Sequence, residues 1–185
     1  MNPRTILLTG AALLGAGLVS NRTLAQSTAP ASAAPRFPNV TSKNLEGRTF
    51  NLPGDFGGRV NLVALAFLRE HQDLVDTWGP AVSRLTGQYP GFKFYELPTL
   101  TRGNGLARLF IDGGMRAGIP SKATRDVTIT LYLDRATFMR SIGERDMSTI
   151  HLLLVGQQGE ILWKGRGAAT PAQEASLRAV LDGLH

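Results

Sequence analysis

VNLVALAFLREHQD, residues 60–73, decides the fold: a nearly unbroken apolar run from Val60 to Phe67 ends in a charged turn, and a helical pattern begins. Such continuity marks a strand buried on both faces, the central strand of a sheet covered by helices. Downstream, Leu74, Trp78, Val82 and Leu85, with Val75 beside the first, recur at helical spacing. Residues 73–85 are therefore expected to lay one helical face on that sheet. Gly79-Pro80 interrupts the helix, since proline lacks an amide donor and clashes with the preceding turn, so a kink is expected there.

Further from this unit, residues 92–97 read as a second strand and residues 106–116 as a shorter helix with an apolar face of Leu106, Leu109 and Phe110. Val127, Ile129, Leu131 and Leu133 alternate with Thr128, Thr130 and Tyr132, the period of a strand. Residues 136–142 read as helical. Residues 150–155 and 160–163 flank GQQG, a loop that joins antiparallel strands. At the C-terminus Thr170 is placed to cap a helix, Pro171 suits its first position and Gln173 completes a capping box, with Leu177, Val180, Leu181 and Leu184 as the buried stripe. Residues 39–58 carry turn signals at Glu46-Gly47 and Pro53-Gly54. The order, strand, kinked helix, strand, helical insert, strand, helix, hairpin, helix, is that of a thioredoxin-like α/β fold: three α/β/α layers, a mixed central sheet and a helical insert.

The first 25 residues hold Arg4, an apolar stretch from Ile6 to Val19 and a small-residue exit at Thr23-Leu24-Ala25. That is a secretory signal pattern, cleaved or kept as an anchor, and the stretch is shorter than the ~20 residues that span a bilayer. An organellar transit peptide is the rival reading, because no acid precedes Glu46. Residues 26–38 read as a Pro/Ala/Ser linker and residues 39–185 as the folded domain. The expected location is the periplasm or the periplasmic face of the inner membrane; under the rival reading it is the mitochondrial inner membrane. The formal charge of +6 is mild and gives no nucleic-acid signature.

The 185 residues include no cysteine, which excludes disulfides, thiolate chemistry and Cys-based metal or iron-sulfur sites. In active members of this fold, two cysteines open the kinked helix, whose positive end lowers a thiol pKa. Here Glu70-His71-Gln72-Asp73 fills that window, and acids there suit N-capping. The position of the fold's cis-proline, ahead of the hairpin, falls at Ile150. No redox enzyme, and no cofactor, is expected from these residues. A mixed metal site of His71 or Asp73, with Glu70 beside them, and His151 across the same edge is the alternative function, a periplasmic metal-binding protein. GRGAAT, residues 165–170, leaves too little chain for a dinucleotide unit, and no motif positions Ser148 or His151 for nucleophilic catalysis. Arg102, Arg108, Arg116, Lys122 and Arg125, with Leu106, Phe110 and Met115 among them, form a basic insert. It is either a solvated rim over a core-packed helix or a surface for anionic headgroups or a membrane-embedded client.

FLREHQDLVDTW (67–78), GIPSKATRDVTITLYLDRATFMRSIG (118–143) and STIHLLLVGQQGEILWKGRGAATPAQEASL (148–177) together resemble the ATP synthase assembly factor ten family, best known from mitochondria, over residues 37–185. Phe67 and Arg69 match that family's turn after the first core strand; His151, Gly159, Trp163, Gly165 and Gly167 match its hairpin and the small-residue start of the last helix. The resemblance implies a thioredoxin-like chaperone without redox cysteines that associates with the inner membrane and helps assemble the membrane sector of ATP synthase through a membrane-embedded subunit. The mitochondrial proteins work on the matrix side, whereas this leader points to the periplasm.

Overall fold

The structure, a computed structural model, describes residues 35–184; the expected leader and most of the expected linker lie outside the described residues. The chain begins with a hairpin of β1 (Val40–Asn44) and β2 (Thr49–Leu52), strands that the turn signals of residues 39–58 bracketed without declaring. The Asn44 side-chain carbonyl accepts from the amides of Glu46 and Arg48, and Gly47 takes φ 83°, a left-handed position that suits glycine. Phe37, within the expected linker, is already a core residue, and its amide donates to the Gly159 carbonyl.

β3 (Val60–Ala66) is the central strand, buried along nearly its whole length. A 3-10 turn at Arg69–His71 follows, then α1 (Gln72–Asp76) and α2 (Gly79–Gln88), so the expected kink is a full break. Pro80 falls in the first turn of α2, where its missing donor costs nothing. Trp78 fills the joint: it is fully buried, its indole donates to the Gly167 carbonyl, and it meets Trp163 edge-on at 6.1 Å.

β4 (Phe92–Thr101) runs past the expected end at Leu97, through Pro98. Pro98 pairs with Ala66, the last residue of β3, so proline is tolerated where that ladder ends, while Thr99 to Thr101 pair with β5. α3 (Gly105–Gly118) is capped by Asn104. α4 (Lys122–Val127), capped by Ser121, takes Val127 out of the expected strand, which is β5 (Ile129–Leu133). α5 (Arg135–Ser141) is capped by Asp134; β6 (His151–Gly156) and β7 (Ile161–Arg166) form the expected hairpin; α6 (Pro171–Asp182) closes the domain. Thr170 accepts from the Gln173 amide, yet Gln173 donates its side chain to the Arg166 carbonyl, so the capping box is only half formed. Leu177 and Leu181 are buried, whereas Leu184 is 41% exposed and outside the stripe.

The seven strands lie in the order β2-β1-β5-β4-β3-β6-β7. β3, β4 and β5 are parallel and the outer pairings antiparallel. Alternation along β3 and β6 splits the core in two. Val63, Leu65, Leu153 and Val155 face α5 and the Phe37, Phe50 and Phe56 side chains. Leu62, Ala64, Leu152 and Leu154 face α1, α2 and α6 through Val75, Trp78, Leu85, Leu177 and Leu181. The three layers, mixed sheet and helical insert are those expected.

Candidate functional site

The C-terminal end of β3 delivers Glu70, His71, Gln72 and Asp73 to the start of α1. Neither the 3-10 turn nor α1 has a side-chain cap, so the expected N-capping by these acids does not occur. Glu70 and Asp73 point to solvent, and Gln72 bonds Asp76 instead, at 2.9 Å. His71 turns inward, 4% exposed. Its Nδ1 accepts from the Phe67 amide at 3.2 Å, which puts the ring proton on Nε2, a buried atom with no partner.

His151, 1% exposed, opens β6 on the far side of the same edge. Its Nε2 donates to the Asp146 carbonyl at 2.7 Å, and Nδ1 stands 3.8 Å from the Glu144 carboxylate. Burial holds this imidazole below its ordinary pKa, against the opposing pull of Asp146 and Glu144. Both histidines meet the Phe67 ring edge-on, at 6.1 and 6.0 Å. The structure therefore does not bring His71, Asp73 and His151 together as a ligand set. Each imidazole is committed to a backbone hydrogen bond, Asp73 is exposed, and no group of three or more metal-ligating side chains occurs among the described residues. Ile150 is fully buried, and its carbonyl accepts from the Gly167 amide. The fold's usual reactive edge is thus packed with a phenyl ring, two buried imidazoles and an aliphatic side chain.

One group there escaped the sequence reading. Glu96 on β4 has its pKa raised by burial first and by the Asp76 carboxylate second, with Gln72 opposing. An acidic residue inside a strand between Tyr95 and Leu97 was the available signal.

The insert departs furthest from expectation. α3 has no buried residue at all. Arg108, Asp112, Met115 and Ile119, spaced four, three and four apart, are the half-buried positions toward the sheet. Leu106, Leu109 and Phe110 face out, 78%, 73% and 85% exposed. The helix is amphipathic and turned inside out, so a rim over a core-packed helix is not what forms. The basic side chains scatter into local pairs. Arg125 and Arg116 both reach Glu46, at 2.6 and 3.4 Å, and Lys122 pairs with Asp126 at 2.7 Å. Arg108 lies 4.9 Å over the Tyr132 ring and donates to the Gly103 carbonyl. Arg102 is exposed just ahead of the helix. The hydrogen bond from Arg125 lowers the Glu46 pKa. No described helix is long and apolar enough to cross a membrane.

No family model and no curated protein sequence matches this chain. Solved structures do. A thiol:disulfide interchange protein from Bacteroides sp. is similar with a TM-score of 0.52 at 17% identity, over 81% of this chain and 90% of its own. The pneumococcal exposed lipoprotein thioredoxin Etrx1 of Streptococcus pneumoniae gives 0.51 at 9% identity, over 78% and 99%. BsSco, a member of the Sco family of cytochrome c oxidase assembly proteins, gives 0.51 at 12% identity, over 81% and 95%. These likenesses fix the architecture: the chain has a thioredoxin-like fold, of the kind seen in thiol:disulfide interchange and Sco-type proteins, with no cysteine in the sequence.

Proposed function

We propose that this protein is a redox-inactive, non-enzymatic assembly factor or chaperone that docks an apolar helix of a membrane-embedded protein on α3. The first client to test is the membrane sector of ATP synthase, the client implied by the family that the sequence resembles. One observation carries the reading: α3 turns Arg108, Asp112 and Met115 to its own sheet and its leucine-phenylalanine ridge outward. Exposing three large apolar side chains on one helix is costly in water unless something covers them. Arg102 and Arg116 lie near the two ends of α3, and arginines beyond an apolar ridge complement the headgroup region that borders a membrane-embedded helix. An apolar leader at Ile6 to Val19 brings the chain to a membrane, with the domain on the periplasmic face. The absence of thiols removes the fold's usual chemistry and leaves a surface for binding.

The test places a photoreactive benzophenone at Phe110 in cells and in isolated membranes. Crosslinks to an ATP synthase membrane subunit, lost in Leu106→Asp and Leu109→Asp variants, support the proposal. Crosslinks to lipid alone, to a second copy of this chain or to soluble proteins alone overturn it. Phe110 is 85% exposed, so Phe110→Asp is expected to change stability by only about 0.5 kcal/mol while abolishing client capture.

A further inference from the structure

Beneath α3, on the opposite side from its apolar ridge, the edge of the sheet presents a polar face. Register places Lys43 beside Thr49 on β2 and beside Thr130 on β5. Thr41 and Tyr132, two residues along their strands from Lys43 and Thr130, point the same way. Ile129, Leu131 and Leu133 take the other face into the core. α3 lays Arg108 and Asp112 over this polar face, and with Ser42 these side chains line a pocket of about 280 Å³.

The hydrogen bonds inside it are incompletely used. Ser42 donates to the Thr130 carbonyl and Thr41 to the Asn51 side chain, so both hydroxyl protons are committed. Tyr132 donates to one oxygen of Asp112 at 2.8 Å; burial first and this bond second raise its pKa. Thr130, however, is 2% exposed and its hydroxyl has no partner, an arrangement that folded proteins rarely leave standing. Lys43 has no acidic partner among the described residues.

We infer that this pocket binds a phosphate group that keeps an ionisable P–OH, as inorganic phosphate, a small phosphate monoester or the monoester headgroup of phosphatidic acid. Three donor residues from three elements line it: Lys43 of β1, Arg108 of α3 and Thr130 of β5, whose hydroxyl is orphaned. A tetrahedral oxyanion offers an oxygen to each, whereas a planar carboxylate has only two. The two cations outweigh the single Asp112 carboxylate. Asp112 in turn sets the protonation state it accepts. A carboxylate in the wall repels a dianion but takes a hydrogen bond from the P–OH of a monoanion. The site therefore favours phosphate over sulfate, which has no O–H at neutral pH, and binds more tightly as pH falls from 8 to 6, through the second phosphate pKa of about 6 to 7.

The experiment is isothermal titration of the full-length protein with inorganic phosphate, glycerol phosphate and sulfate at both pH values. Co-sedimentation with phosphatidylcholine vesicles, with and without phosphatidic acid, runs beside it. Phosphate is expected to bind with sulfate weaker, and Lys43→Ala and Thr130→Val are each expected to weaken it roughly tenfold, the cost of one charge-assisted contact. Asp112→Asn is expected to erase the discrimination against sulfate. Thr130→Val changes no volume and removes an unsatisfied group, so a folded variant with unaltered affinity overturns the inference. So does the lack of heat with any phosphate at millimolar concentration, combined with vesicle binding that ignores Lys43. Binding of the free esters alone identifies a soluble ligand; Lys43-dependent sedimentation with phosphatidic acid vesicles identifies a headgroup. These outcomes are independent of whether α3 captures a client.

Discussion

Glu96, half-buried, and His151, buried, are two titratable groups with opposite consequences for stability. The native pKa of Glu96 is raised, by burial and then by Asp76, above its ordinary value of 4.5. Between those two values the folded state holds more protons than the unfolded one, so stability falls as pH rises and the ionised form is a net cost at neutrality. Glu96→Gln, which mimics the protonated acid, is therefore expected to raise the urea midpoint at pH 7 and to change it little at pH 4. Equal shifts at both pH values would show that charge is not the cause. His151 runs the other way: burial depresses its pKa below the ordinary 6.5, so the folded state holds fewer protons. Its stabilisation is complete above that value and is lost as pH falls through it. The carboxylates of Asp134 and Asp146, lowered chiefly by the Thr137 and Ser148 amides, add a separate loss only below about pH 4. Urea midpoints of wild type and His151→Leu between pH 8 and 5 check this; the variant is expected to show a flatter slope. Neither assignment was open to sequence reading, which had His151 beside a strand but not the Asp146 carbonyl, and had no reason to look at Glu96.

Elements that face the core were legible because one physical signal determines them. β3 was visible as an apolar run, and α6 through its Thr170 cap and leucine spacing, because burial on the sheet fixes both pattern and place. Leu181, fully buried, is expected to cost about 2–5 kcal/mol on replacement by alanine. Leu184 is 41% exposed, and its replacement should stay within about 0.5 kcal/mol. Equal shifts in chemical denaturation for the two would contradict the boundary of the stripe. α3 was misread for the complementary reason. Periodicity reports that a helix has an apolar side, and only tertiary placement says which way that side faces. The interruption at Gly79-Pro80 was legible, whereas its depth as a full break, the 3-10 turn and α4 depend on local geometry at Trp78, Leu68 and Ser121 that spacing alone does not contain.

At the scale of the whole molecule, one sheet carries two cores that do not touch except through it. Asn61, fully buried in β3, bonds both Gly58 and Val155, tying the central strand to its approach loop and to β6. Trp78 belongs to one core and Trp163 packs on that same core, so tryptophan fluorescence reports only the face of α1, α2 and α6, while far-ultraviolet circular dichroism reports the helices of both faces. Phe138, 5% exposed on α5, lies in the opposite core. If strands shared by both cores make the domain a single cooperative unit, Phe138→Ala should lower the fluorescence midpoint in urea as much as the dichroism midpoint. The loss should be about 3–5 kcal/mol with an unchanged slope, as for removing a buried phenyl ring. A dichroism transition that moves while the fluorescence transition stays in place would mean that the two faces unfold separately. The sheet argues against that outcome, because β3 and β6 place successive side chains in alternate cores, and neither strand can lose its partners on one face without breaking the ladder that serves the other.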